Sequence, residues 1–221
     1  MVKQVLLLSG LLLTLFACDS EENSEVLIEE TSISATDSVE QKQHLVNDYP
    51  PFNSDGSLNV LIEIPAGTIQ KWEVNKETGA LDLELIKGMP RTINYLPYPG
   101  NYGLIPQTLL PKKLGGDGDP LDVIILGEAL VSGEFYACKL IGVLNLLDRG
   151  EQDDKLIAVL NEGPFAHINS MAELDAEFVG VSSIVETWFA NYKGEGMMES
   201  QGFAEKEVAD SVLAVSIAAF K

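Results

Sequence analysis

The sequence predicts a mainly β domain of the α+β class, a small closed β-barrel with helices packed outside it. Three observations carry this. Short apolar segments in the first two-thirds alternate with period 2 or stop at Pro and Gly, as strands do. The last part shows helical spacing instead. The 221 residues, 46% hydrophobic, suffice for one well-packed domain with appendages.

The first appendage is N-terminal. Lys3 precedes the apolar run 5–16, which has the charged and apolar regions of a secretory signal and is too short to span a bilayer. The run ends Leu15-Phe16-Ala17-Cys18, similar to a bacterial lipobox. Residues 1–17 are therefore expected to be a lipoprotein signal peptide. Cleavage before Cys18 and lipidation of its sulfur would hold the exported protein on the periplasmic or surface side of a bacterial membrane. An ordinary signal peptide with an incidental Cys is the alternative. Between Asp19 and Asp48 the chain carries nine acids, one Lys and no aromatic residue. Such a segment buries too little apolar surface to offset the entropy of ordering, so 18–50 is expected to be an acidic disordered tether and 51–221 the folded domain.

In the domain, 58–64 ends at Pro65, 70–74 precedes a turn and 80–86 alternates with period 2; 123–126, 135–147 and 156–160 complete the expected strands. Segments 171–192 and 204–220 are expected to be the two flanking helices, the second with Val208, Val212, Val215 and Ala219 along one stripe. The net charge of −20, and the 25 acids against 12 bases that remain after residue 50, exclude a nucleic-acid backbone as partner. An acidic chain that handles phosphates must borrow cations.

The chemistry concentrates in acidic loops. Gly115-Gly-Asp117-Gly-Asp119-Pro-Leu-Asp122 crowds three carboxylates onto a glycine-rich turn that runs into an apolar strand. Such charges repel unless cations lie between them, and a hard divalent ion is the natural neutraliser. An EF-hand loop fails in detail, because Leu121 replaces its position-5 ligand, Asp122 its Gly, and no helices flank it. A second acidic loop, Asp148 to Lys155, joins two strands close enough to pair, so Asp148 and Asp153 are expected to face the first loop across a barrel mouth. Lys71, Arg91, Lys155 and Lys193, with Tyr98, Tyr102 and Tyr192, supply what a polyanionic substrate needs: charged donors and phenol hydroxyls.

With these residues in view, the chain resembles the family I soluble inorganic pyrophosphatases. The signature Asp117-Gly-Asp-Pro-Leu-Asp122 is followed by Val-Ile-Ile. Ile62-Glu63-Ile-Pro65, Lys71-Trp-Glu73, Lys87-Gly-Met-Pro-Arg91, Asn101-Tyr102-Gly103, Pro106-Gln-Thr108, the 148–155 loop and Tyr192-Lys193 are similar to the remaining blocks in the family's order. The resemblance implies a five-stranded barrel of OB type and Mg2+-dependent hydrolysis of inorganic diphosphate. It implies that Asp117, Asp122 and Asp153 hold the ions that activate water, that Asp119 takes the proton, and that Glu73 and Asp148 serve ions arriving with substrate. Lys71, Arg91, Tyr102, Tyr192 and Lys193 match phosphate-binding positions, Glu63 a supporting acid, and Tyr98 and Lys155 further motif sites. A homo-oligomer is compatible with the resemblance. Two departures stand out: Arg149 occupies a position usually held by Glu, and Met197 or Met198 lies near a frequent Lys. Arg149 is expected to add positive charge at the rim of the second loop. His44 is assigned to the tether and His167 to a loop cap. A silent Ca2+-binding lipoprotein and a nucleotide or polyphosphate hydrolase are the competing functions.

Overall fold

A computed structural model describes residues 43–112 and 115–220. The elements run β1 (Leu58–Ile64), β2 (Trp72–Val74), β3 (Leu81–Leu83), β4 (Leu85–Ile86), β5 (Met89–Pro90), β6 (Asn101–Leu104), β7 (Asp122–Leu126), β8 (Phe135–Asp148), β9 (Glu151–Gln152) and β10 (Lys155–Leu160), then α1 (Met171–Glu177), α2 (Val181–Asn191), β11 (Met198–Glu205) and α3 (Lys206–Ala219). The main sheet follows the order β1-β6-β7-β10-β8-β11, with β9 paired to β8 and a further pairing of β1 with β8. Two short hairpins, β2-β3 and β4-β5, stand apart from it.

Alternation along the strands divides the core. Val60, Ile62, Val123, Ile125, Leu156 and Ala158 form one cluster closed by Ala209 and Leu213 of α3. Ile64, Tyr102, Ile124 and Ile157 form another against Met171, Leu174, Val185, Trp188 and Phe189 of α1 and α2. Each fully buried aliphatic chain contributes roughly 1.5–3 kcal/mol relative to exposure, so these layers hold the sheet rigid beneath its loops. The closest backbone approach explains one glycine: a Cβ on Gly103 would lie 1.9 Å from the Leu61 carbonyl oxygen.

Several expectations change. Segment 171–192 is two helices, so among the described residues three helices flank the sheet rather than two. Ser170 caps α1, its hydroxyl accepting from the Glu173 N–H, and Gly180 breaks the run at φ 90°. The α3 stripe is misplaced by one residue. Its buried positions are Ala209, Leu213 and Ser216, the first and last small enough for a close approach to β8, while Val208 and Val215 are 44% and 46% exposed. Residues 198–205 form β11, whose register opposite β8 outweighs their weak strand propensity. Asn101–Leu104, absent from the expected strands, is the fully buried strand β6.

The domain also starts earlier than residue 51. Val46 is buried against Leu61, Val74 and Leu104, and Tyr49 packs on Phe135 with ring centroids 4.2 Å apart. The few apolar residues of 43–50 therefore find partners on the domain, and His44 belongs to this packed stretch. His167 pairs through Nε2 with Glu177 on the surface, 2.7 Å away.

Candidate active site

The parallel pairing of β7 with β10 sets Asp122 opposite Lys155, each the first residue of its strand. Lys155 Nζ donates to Asp122 Oδ2 and to Asp153 Oδ1, and its side chain is only 2% exposed. Burial opposes the ammonium charge, but the two aspartates outweigh it and raise the Lys155 pKa. Burial likewise pushes Asp122 up, and the Lys155 ammonium reverses this and holds it below its ordinary value. For Asp153 burial prevails over Lys155, and its pKa is raised.

These residues form the floor of a cavity of about 1080 Å3 that collects side chains from β1, β2, the acidic 117–122 loop, the 148–155 loop and the segment after α2. Every sequence-predicted metal, substrate and supporting residue reaches it: Glu63, Lys71, Glu73, Arg91, Tyr98, Tyr102, Asp117, Asp119, Asp122, Asp148, Asp153, Lys155, Tyr192 and Lys193 all line its wall. Cys18 lies outside the described residues.

One side is acidic. Asp117 accepts the Asp119 N–H at 2.8 Å, which folds the loop onto itself, and burial raises the Asp117 pKa with help from the neighbouring aspartates. Glu63 accepts the Val74 N–H at 2.8 Å, and burial pushes its carboxyl up to about 7. The other side is cationic and aromatic. Arg91 Nη1 reaches both oxygens of Glu84, at 2.9 and 2.7 Å. Lys71 lies 3.7 Å from Glu73 and 5.1 Å above the Tyr102 ring. Burial raises the Tyr98 and Tyr102 pKa values, so both phenols remain proton donors at neutral pH. Tyr192 stacks on Trp188 at 4.5 Å, which orients the adjacent Lys193 toward Asp148, 2.7 Å away.

The donor set suits a hard divalent cation, since it consists of carboxylate oxygens. Asp148 Oδ1 is buried with no hydrogen-bond partner, an oxygen left for a ligand. Among the described residues no three such side chains already converge on one point. The ammonium groups of Lys155, between Asp122 and Asp153, and of Lys193, between Asp148 and Asp153, stand among the carboxylates as counterions.

The sequence profile described as inorganic pyrophosphatase matches residues 60–221. The chain belongs to the inorganic pyrophosphatase family. It is 33% identical over 169 residues to the inorganic pyrophosphatase of Corynebacterium efficiens, covering 75% of this chain and 99% of that protein. With the soluble inorganic pyrophosphatase of Zea mays it shares 34% identity over 137 residues, 61% of this chain and 58% of the plant protein, so it spans just over half of that relative. Its fold is similar to the solved inorganic pyrophosphatase of Helicobacter pylori, with a TM-score of 0.64 and 32% identity over 74% of this chain and 93% of that one.

Within the family frame both departures are structurally bland. Arg149 is exposed in the β8–β9 turn at φ 50°, outside the cavity wall, and its N–H bonds the Met197 carbonyl. Its charge thus lies on the rim of the second loop, open to solvent and away from the cavity wall. Met198 is buried in the core. Sequence reasoning missed Glu84 and Lys76, which also line the cavity. Glu84 was legible in principle, because a β4-β5 hairpin around Lys87-Gly88 sets residue 84 opposite Arg91. Lys76 had no signal beyond its place in a turn.

Proposed function

We propose that the chain hydrolyses inorganic diphosphate to two orthophosphates with Mg2+. The observation that carries this reading is a single cavity in which the carboxylates of two separate loops face a wall of Lys, Arg and Tyr. Asp117, Asp122 and Asp153 are the residues to hold the ions that activate water, and Asp148 and Glu73 those for ions that accompany the substrate. When bound, Mg2+ would lower the pKa of a coordinated water below that of bulk water and offset the substrate's charge. Water oxygen forms the new bond to phosphorus, the bridging P–O bond breaks, and Asp119 accepts the water proton. Arg91, Lys71, Lys193, Tyr102 and Tyr192 bind phosphoryl oxygens, fixing the in-line geometry on which phosphoryl transfer depends. Glu63 buttresses β2, Tyr98 supports the aromatic wall and Lys155 orders the floor carboxylates. The cyclic pairing of β1, β6, β7, β10 and β8 supports a closed five-stranded barrel of OB type.

A silent Ca2+ binder would have no use for the cationic wall, which favours the hydrolase. A phosphate-release assay tests the choice. Diphosphate plus Mg2+ is expected to yield two orthophosphates, Ca2+ to suppress the reaction, and ATP and tripolyphosphate to remain largely intact. Release no faster than in chelator, or faster on ATP than on diphosphate, would refute it.

The Leu15-Phe16-Ala17-Cys18 sequence supports export and a lipid anchor at Cys18, on the periplasmic or surface side of a bacterial membrane. Labelling of the expressed chain with palmitate should be abolished by Cys18→Ala. An unlabelled wild-type chain would contradict the anchor.

A further inference from the structure

We infer that Lys76 is a positioning residue for Asp119, and that residues 43–50 hold it in place through His44; the inference rests on the diphosphate hydrolysis proposed above. Lys76 sits on the turn between β2 and β3, and its Nζ pairs with Asp119 Oδ1. It is the side-chain partner Asp119 has among the described residues. The two side chains are 58% and 43% exposed, and an ion pair that open is weak alone. Its geometry therefore depends on the frame that presents it.

That frame is built from both sides. Inside the turn, Asn75 Oδ1 accepts the N–H groups of Glu77 and Thr78 at 2.9 and 3.2 Å, and the Asn75 carbonyl accepts from Gly79 at 2.7 Å. The turn is thus one rigid piece. From outside, His44 Nδ1 faces the N–H groups of Val46 and Asn47 at 3.3 Å, which leaves Nε2–H to donate to the Lys76 carbonyl at 3.1 Å. The contact requires Gly79, at φ +69°, where a Cβ would lie 2.3 Å from His44 Cγ. The Leu45 N–H also bonds the Gly79 carbonyl, at 3.1 Å.

The same short segment reaches the other partner's loop. The carbonyls of Val46 and Asn47 accept from the backbone and side chain of Gln107, at 2.9 and 2.8 Å. Next to Gln107, Thr108 Oγ1 accepts the Leu121 N–H at 2.9 Å, two residues past Asp119. Residues 43–50 therefore strap the turn carrying Lys76 to the loop carrying Asp119, and fix the distance between them. A proton acceptor on a half-exposed loop needs such an anchor, because small displacements at the reacting atoms cost rate steeply.

The test is steady-state kinetics of the full chain on diphosphate, with thermal unfolding of every variant. Lys76→Ala should lower kcat about tenfold with KM within about twofold, and Lys76→Arg should restore most of it. His44→Ala should lower kcat about threefold, and His44→Gln, which keeps a donor, less. The His44→Ala/Lys76→Ala double variant should be no slower than Lys76→Ala, because the strap acts through Lys76. An unchanged kcat in folded Lys76→Ala, a rise in KM without loss of kcat, or losses that multiply in the double variant would overturn the inference. A wild-type chain without turnover would instead defeat the hydrolase reading, and this inference with it.

Discussion

The floor and the rim of the cavity hold charges of the same kinds under opposite conditions. On the floor, Lys155 is 2% exposed and bonded to Asp122 and Asp153, with Glu63 buried nearby. At the rim, Lys76 and Asp119 form a single pair open to water. A buried charge that loses its partner has no solvent to turn to, whereas an exposed one is rehydrated at little cost. Floor residues are therefore committed to folding as well as chemistry. Rim residues are free to serve chemistry alone.

The largest effect that sharpens this contrast is Lys155→Met. It strands the half-buried Asp122 and Asp153 and should cost about 3–5 kcal/mol of stability in denaturant unfolding, with loss of turnover. A cost below about 1 kcal/mol would erase the distinction, since that is what an exposed pair is worth. Asp119→Asn is the rim counterpart. Turnover should fall about a hundredfold or more, as on losing a positioned base, while unfolding stays within about 0.5 kcal/mol of wild type.

How much of this was legible beforehand follows the same division. The acidic signature, Lys71-Trp-Glu73 and Tyr192-Lys193 could be read because short motifs carry their chemistry locally, and all of them reach one cavity. What could not be read depends on partners distant in sequence. β11 is a strand because β8 offers it an edge, and α3 turns Ala209 and Ser216 inward because small side chains let it approach the sheet. The pairing of Lys76 with Asp119 spans 43 residues and leaves no local trace. The packing of residues before position 51 leaves no trace in composition, which averages over a window, while Val46 needs only one hydrophobic niche.

Two smaller effects complete the series. Glu63 has its carboxyl pushed up to about 7 by burial, from 4.5. Folding thus favours its protonated form. The stability this contributes is fully present below the unfolded value and is lost as pH rises through about 7. Glu63→Gln keeps the acceptor for the Val74 N–H and removes the titration. Relative to wild type it should gain on the order of 2 kcal/mol between pH 5 and pH 8, and parallel stability curves would contradict the burial account. Lys193→Ala, at the intermediate depth, should raise KM for diphosphate about tenfold with little change in kcat, the pattern of lost uniform binding; a kcat loss with constant KM would move it to the transition state.

The proposal on which the rest depends is that the carboxylates of the two loops hold divalent cations, Lys155 giving up one of its pairs as they bind. Anomalous diffraction from crystals soaked in Mn2+ tests it without any turnover. The account predicts manganese peaks beside Asp117, Asp122 and Asp153, with the ammonium of Lys155 displaced from at least one of its two carboxylates. A cavity without manganese, its lysine pairs intact, would contradict it.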